Sequence, residues 1–264
     1  MSGVEAETTS LAPRFDVEGR VALVTGAARG IGAAIAVAMA QAGADVVIGL
    51  REAARGSSTL AAVEATGRRG LEVQMDVSDV ADVRAATEAA VAHFGRIDIL
   101  VNNAGVGPEN PAEDVTEADF ELTCAVNLRG TFFTSQLVGR RMLEQGFGRI
   151  VNVSSQAGFV ALPGESVYCM TKAAIVHLTR CLAVEWGPRG VNVNAVAPTF
   201  IETSGTSAAL ADDRFRRDVE ERIAALHRIG TPVDVVGAVL FLVSPAAAMI
   251  TGETILIDGG WTAR

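Results

Sequence analysis

Short apolar runs alternate with longer amphipathic stretches along the whole of this 264-residue chain. Arg20–Thr25 (RVALVT) is a β-branched run between Gly19 and Gly26 and predicts a first strand. Similar runs predict strands at Ala44–Leu50, Leu71–Met75, Ile97–Val101, Arg149–Val153, Val191–Val196 and Thr254–Ile257. Helical spacing predicts helices over Ile31–Ala42, Val80–Phe94, Glu117–Asn127 and on to Glu144, Val167–Trp186 and Val233–Leu242. Strands such as Ile97–Val101 are almost wholly apolar, which fits burial on both faces. The alternation predicts an α/β fold: a single doubly wound, parallel, seven-stranded sheet with helices on both faces. No repeat or low-complexity linker divides the chain, so residues 15–264 read as one domain. Residues 1–14 are small, polar and acidic and read as a flexible extension. The least regular stretch, about 199–229, carries Ser204, Gly205 and Ser207 and a charged helix near Asp212–Arg222, and reads as an insertion or lid.

Composition narrows the function. Hydrophobic residues make up 49%, enough for a large core, yet no apolar run reaches the roughly 18 residues of a membrane span. The start lacks the basic and apolar regions of a signal peptide, so a cytoplasmic location is expected. A formal net charge of −9 argues against general nucleic-acid binding. Cys124, Cys169 and Cys181 show no metal-type spacing, and His93, His177 and His227 are scattered, so no metal site is expected.

Two features carry chemistry. The first strand ends in Thr25-Gly26-Ala27-Ala28-Arg29-Gly30-Ile31-Gly32, three glycines between a strand and a helix. Such a turn lets a pyrophosphate approach the backbone and rest on the helix N-terminus. The second is Tyr168, the only tyrosine, four residues before Lys172. That spacing puts both side chains on one helical face, where an ammonium would favour the phenolate and make the phenol a better proton donor and acceptor. Either feature alone is equally compatible with a structural turn and a solvated helix face.

With TGAARGIG at Thr25, DV at Asp76, NNAG at Asn102, SSQAG at Ser154 and YCMTK at Tyr168, the chain resembles the short-chain dehydrogenase/reductases over about Arg20–Gly260. The resemblance implies a catalytic set of Asn127, Ser155, Tyr168 and Lys172. Ser155 would donate to the developing oxyanion. Tyr168 would serve as acid in reduction and base in oxidation, and Lys172 would lower its pKa and reach the nicotinamide ribose. Asn127 would hold a water linking Lys172 to solvent, and Ser154 would support the strand end. It also implies a dinucleotide site built from Gly26, Arg29, Gly30, Ile31, Gly32, Asp76, Val77, Asn103, Ala104, Gly105, Tyr168, Lys172, Pro198, Ile201 and Thr203. Thr199 stands where the family usually has glycine. The segment 204–222 matches its substrate lid, and a homotetramer or homodimer through the two long middle helices is expected.

NAD enzymes usually place an acid at the end of the second strand. Leu50 stands there, followed by Arg51, with Arg29 in the glycine turn. Paired arginines suit a 2′-phosphate, so NADP(H) is favoured over NAD(H), with Glu52 as the opposing charge. The expected activity is hydride transfer between nicotinamide and a ketone or secondary alcohol. The substrate would be a small polar ketone, polyol or sugar acid, held by Ser155, Gln156, Glu165, Tyr168 and Phe200. The C-terminal half also resembles 3-oxoacyl-acyl-carrier-protein reductases, with Arg189 at one docking position but uncharged Gly146 at the other. A non-catalytic dinucleotide-binding protein is the third reading, opposed by the intact tetrad.

Overall fold

A computed structural model describes residues 14–263. All but Arg14 of the expected N-terminal extension therefore lies outside the described residues. Seven parallel strands form one sheet: β1 (Val21–Thr25), β2 (Asp45–Leu50), β3 (Gly70–Gln74), β4 (Ile99–Asn102), β5 (Gly148–Val153), β6 (Val191–Pro198) and β7 (Thr254–Ile257). Their order is β3-β2-β1-β4-β5-β6-β7. Such an order reverses between β1 and β4, and the crevice outside the carboxyl ends of these strands is where open α/β sheets bind ligands.

Both faces of the sheet are covered because its strands are apolar at odd and even positions alike. In β1, Ala22 and Val24 face one core with Ile35 and Met39 of α1 (Gly30–Gln41) and Val235, Val239 and Leu242 of α9 (Pro232–Val243). Val21 and Leu23 face the other core. It is supplied by α3 (Val80–Phe94), α5 (Thr131–Gln145) and α6 (Ser166–Trp186), through residues such as Val83, Val138, Met142 and Leu182. The helix α6 has the length and composition to cross a membrane, but Ile175, Val176, Leu182 and Ala183 are buried in the fold.

Polar groups tie the second layer in register. Asn102 Nδ2 donates to Asn152 Oδ1 and to Ser135 Oγ, both at 2.9 Å, and Asn152 Nδ2 donates to Thr179 Oγ1 at 2.9 Å. Each of these residues is buried, so the chain β4–β5–α6 is fixed by bonds that solvent cannot replace.

Three elements depart from the sequence expectation. Between β2 and β3 lies α2 (Ser58–Glu64), too short to show a periodic stripe; only Thr59 and Val63 are buried on it. The predicted helix beginning at Glu117 is α4 (Glu117–Thr123), followed by a π-helical turn, Cys124–Gly130, before α5. Gly130 permits this widening: a Cβ there would lie 2.9 Å from Val77 Cγ2 and 3.0 Å from the Val77 carbonyl. In the stretch read as a lid, the charged helix expected near Asp212–Arg222 is present as α8 (Asp213–Arg222), capped by Asp212, whose carboxylate accepts from the Arg214 and Phe215 amides, and the unforeseen element is the short α7 (Ser207–Leu210) before it. The lid has its own small core, formed by Leu210, Val219, Ile223, Ile229 and Trp261.

Candidate active site

The glycine turn after β1 is shaped by contacts that exclude side chains. Gly26 and Gly30 have φ of +63° and +60°, conformations glycine adopts without steric cost. A Cβ on Gly32 would run into the Asn103 side chain and the Gly26 carbonyl. Asn103 reaches this turn because Thr25 anchors it. The Thr25 hydroxyl accepts the amides of Asn103 and Ala104, both at 3.0 Å, while Asn103 Nδ2 donates to the Thr25 carbonyl at 2.9 Å. Arg29 caps α1 with no side-chain hydrogen bond, so no cap residue occupies the first amides of that helix. An anion fits there on charge and geometry. Thr203 lies across from Gly30, 3.4 Å from where a Cβ would be.

The neighbouring positions are mostly held by protein contacts. Asp76 Oδ1 accepts from the Ser78 amide and hydroxyl at 2.9 and 2.7 Å, and Val77 is buried against Gly130. Leu50 is buried in the first core. Arg51, exposed, lies 3.5 Å from Glu52 Oε1, while Arg55 pairs with Glu52 Oε2 at 2.7 Å. Arg55 was not among the residues singled out by sequence; as a second arginine in the loop that leaves β2, it could have been.

The remaining tetrad positions converge at the ends of β5 and α6. Ser155 Oγ accepts from the Ala157 amide at 3.1 Å and donates to Gln156 Oε1 at 2.7 Å. Ser154 Oγ donates to the Lys172 carbonyl at 2.9 Å, tying the strand end to α6. Lys172 is buried, and its Nζ donates to the Val153 carbonyl at 2.9 Å, 5.4 Å from the centroid of the Tyr168 ring. Gly107 allows the tyrosine in, since a Cβ there would lie 2.8 Å from Tyr168 Cδ2.

Asn127 is completely buried in the π-helical turn. Its Oδ1 accepts the Val106 amide at 2.9 Å, and its Nδ2 donates to the Val106 carbonyl at 2.8 Å and to Thr171 Oγ1 at 3.0 Å. Thr171 in turn donates to the Tyr168 carbonyl at 2.8 Å. The side chain expected to hold a water thus has both amide atoms on protein, bracing the loop after β4 against the first turns of α6. Helical π turns of this kind recur at functional sites.

The expected effect of Lys172 on the phenol is not what dominates here. Burial pushes the Tyr168 phenol up to about 12; a hydrogen bond with Ser155 acts against it, and Glu165 adds to the rise. Burial also brings the Lys172 ammonium down to about 8. With the ammonium committed to the Val153 carbonyl, desolvation outweighs the attraction that a Tyr-x-x-x-Lys spacing alone suggests.

A cavity of about 390 Å³ joins these groups, bordered by Ile31 and Thr203 on one side and by Ser155, Gln156, Tyr168 and Glu165 on the other. Gln156 is buried. Glu165 has its carboxyl raised to about 7, by burial and then by Glu109, an exposed residue on the same cavity that sequence reasoning missed. Phe200 stacks between Phe215 and Trp261, with ring centroids at 5.6 and 5.8 Å, and so joins the lid to the C-terminal turn.

Beyond β6, Thr199 is accommodated without left-handed backbone: among the described non-glycine residues only His227 has a positive φ. The Thr199 hydroxyl is buried with no partner among the described residues and borders the cavity. An orphaned donor and acceptor at this place fits a polar ligand group. Ile201 is buried, and its carbonyl accepts from Thr206 Oγ1 at 2.6 Å; the Thr203 amide donates to the same hydroxyl at 3.0 Å. Thr206 therefore shapes the segment that follows Pro198. No group of metal-ligating side chains occurs among the described residues.

A family model described as enoyl-(acyl carrier protein) reductase matches residues 26–262. The chain is 46% identical to a D-threitol dehydrogenase of Mycolicibacterium smegmatis, over 98% of this chain and 99% of the relative. It is 40% identical to an NAD-dependent glycerol dehydrogenase of Listeria innocua, covering 95% and 96% of the two chains. A crystal structure of a putative NAD(P) dependent gluconate 5-dehydrogenase from Beutenbergia cavernae, with bound NADP at low occupancy, superposes with a TM-score of 0.90 at 39% identity. It covers 95% of this chain and all of that one. Matches that run through the glycine turn, the sheet and the Tyr168–Lys172 helix alike leave one assignment. The chain is a pyridine-nucleotide oxidoreductase acting on CH–OH groups and belongs to the short-chain dehydrogenase/reductase family.

Proposed function

We propose that this enzyme interconverts a secondary alcohol and a ketone on a small polyol or sugar acid, with NADP(H) as its preferred coenzyme. The observation that carries the reading is one cavity bordered by Ser155, Tyr168 and Lys172 at one end and by Ile31 and Thr203, beside the glycine turn, at the other. The D-threitol and gluconate dehydrogenases among its relatives support the substrate class.

When bound, the coenzyme supplies or accepts the hydride. The amides of Gly26, Gly30, Ile31 and Gly32 would hold its pyrophosphate, Asp76 and Val77 would meet its adenine, and Asn103–Gly105 would line a ribose. Pro198, Ile201 and Thr203 position its amide. Tyr168 gives a proton to the reacting oxygen in reduction and takes it in oxidation. The Ser155 hydroxyl turns from Gln156 to that oxygen and donates to it as charge develops. Lys172 is the one cation bordering the cavity among the described residues, one helical turn beyond Tyr168, where it would reach the nicotinamide ribose. Asn127 keeps the loop after β4 and the start of α6 in place for both.

The preference for NADP(H) rests on charge. No acid ends β2, since Leu50 points into the core. Glu52, the one nearby carboxylate that could oppose a phosphate, is engaged by both Arg51 and Arg55. Steady-state kinetics with each coenzyme test this. We expect kcat/KM to favour NADP+ by about tenfold or more, and the double variant Arg51→Ala/Arg55→Ala to lose that advantage. A higher kcat/KM with NAD+ overturns it. Exposed Phe120, Leu122 and Phe132 on α4 and α5, with Val184 on α6, support assembly as a homotetramer; a stable monomer in light scattering opposes it.

A further inference from the structure

Two carboxyl groups border the substrate end of the cavity. Glu165 caps the start of α6, and Glu109 sits in the loop after β4. The two are held side by side by backbone, because the Asn110 amide donates to the Gly164 carbonyl at 2.9 Å. Both border the main cavity, and both border a second, outer cavity of about 230 Å³ walled by Phe200, Phe215 and Trp261. The one cation on the main cavity among the described residues is Lys172, whose Nζ donates to the Val153 carbonyl at 2.9 Å. Arg222, in the outer cavity, is paired with Asp218 at 2.9 Å. Arg216 is held by Glu202 at 3.0 Å and by the Leu210 carbonyl.

From this we infer that the pocket selects an uncharged polyhydroxy substrate, whose hydroxyls donate to Glu109 and Glu165, and discriminates against the carboxylate of a sugar acid. The inference rests on the proposed reaction and narrows its substrate. Carboxylates are acceptors that take two or more hydroxyl donors, and charge-assisted bonds of this kind are strong. A carboxylate brought beside them meets like charge, least screened by solvent at Glu165, the less exposed of the two. Selection here comes as much from repulsion as from attraction.

The test is a comparison of kcat/KM, with the preferred coenzyme, for a four- or five-carbon polyol and for the aldonate of the same length. Wild type, Glu109→Gln and Glu165→Gln would be measured at constant ionic strength. We expect wild type to favour the polyol by about tenfold or more, and each amide variant to narrow the ratio through a lower KM for the aldonate. Glu109 is exposed on a loop, so its amide variant keeps the fold even if that of Glu165 does not. A wild-type enzyme that prefers the aldonate overturns the inference while leaving the proposed reaction intact. A ratio unmoved in both variants overturns it as well. Oxidation of neither compound, with turnover of an acetoacetyl thioester instead, removes the proposed substrate class itself.

Discussion

The two ends of the active-site cleft are built by different means. At the coenzyme end the surface is backbone: the glycine turn, the open first amides of α1, and a loop pinned to Thr25 by three hydrogen bonds. At the substrate end the surface is side chain: Gln156, Glu165 and Glu109 around Tyr168, under a lid held by the packing of Phe200 on Phe215 and Trp261. A backbone surface binds what every reaction of this type shares. Its shape depends on where side chains are absent and tolerates little change. A side-chain surface can be rewritten one residue at a time, which is how one fold serves many substrates.

The largest effect should come from the residue where the two ends meet. Tyr168→Phe removes the proton donor while leaving the ring against Gly107. We expect kcat to fall by about 10²- to 10⁴-fold, the range of general acid–base catalysis, with the unfolding midpoint in urea little changed. Retention of more than a tenth of kcat would assign proton transfer to another group and separate the two ends of the cleft. Because Tyr168 is the only tyrosine, near-ultraviolet titration of the folded protein reads its phenol alone. Tyrosinate should be absent at pH 9 in the coenzyme-free protein, given a phenol at about 12.

Gly32→Ala probes the backbone end. The added methyl would run into both the Asn103 side chain and the Gly26 carbonyl, and the second, being backbone, moves only if the turn does. Overpacking of this kind costs about 1–3 kcal/mol. We expect a stability loss in that range together with coenzyme binding weakened by about tenfold or more. Unchanged coenzyme affinity, read by fluorescence titration, would show that the turn has slack and weaken the contrast with the substrate end.

The same contrast governs what could be read from sequence. The sheet was legible because strands buried on both faces leave uninterrupted apolar runs, and Ile97–Val101 and Arg149–Val153 overlap the observed β4 and β5, each missing one residue at one end. The glycine turn was legible because absent side chains leave a compositional mark. The helix α2 was not: it is seven residues long, and one of its two buried residues is Thr59, anchored by a hydrogen bond to the Ala27 carbonyl rather than by hydrophobic periodicity. Nor was the π-helical turn, whose last residue, Gly130, meets Val77, 53 residues upstream (130 minus 77), across the fold. Glu109 carries no local signature at all. It enters the site only because Asn110 meets Gly164, a contact between two loops.

Glu165 gives the smallest of these effects and the most direct reading of the substrate end. Its carboxyl is raised to about 7 from the ordinary 4.5, by burial first and by Glu109 second. A folded-state pKa above the unfolded one means that the folded protein binds the proton more tightly. Stability therefore falls as pH rises from about 4.5 to about 7, and the cost of the buried charge is fully present above that. Glu165→Gln removes the titration. It should match wild type near pH 4.5 and exceed it at pH 8 by about 1–2 kcal/mol, less than the full shift implies because the side chain is partly solvated. The groups facing Glu165 are Glu109 on the neighbouring loop, Tyr168 and Cys169 on α6, and Asp218 with Arg222 on α8. Thermal unfolding of both proteins at pH 5 and pH 8 reads it. An equal gap at the two values would mean that the carboxyl is solvated and ordinary, and that the substrate end, like the coenzyme end, is held mainly by its backbone. A gap that opens only at pH 8 would mean that this end keeps a destabilising charge in place, as a site under selection for specificity does at the expense of stability.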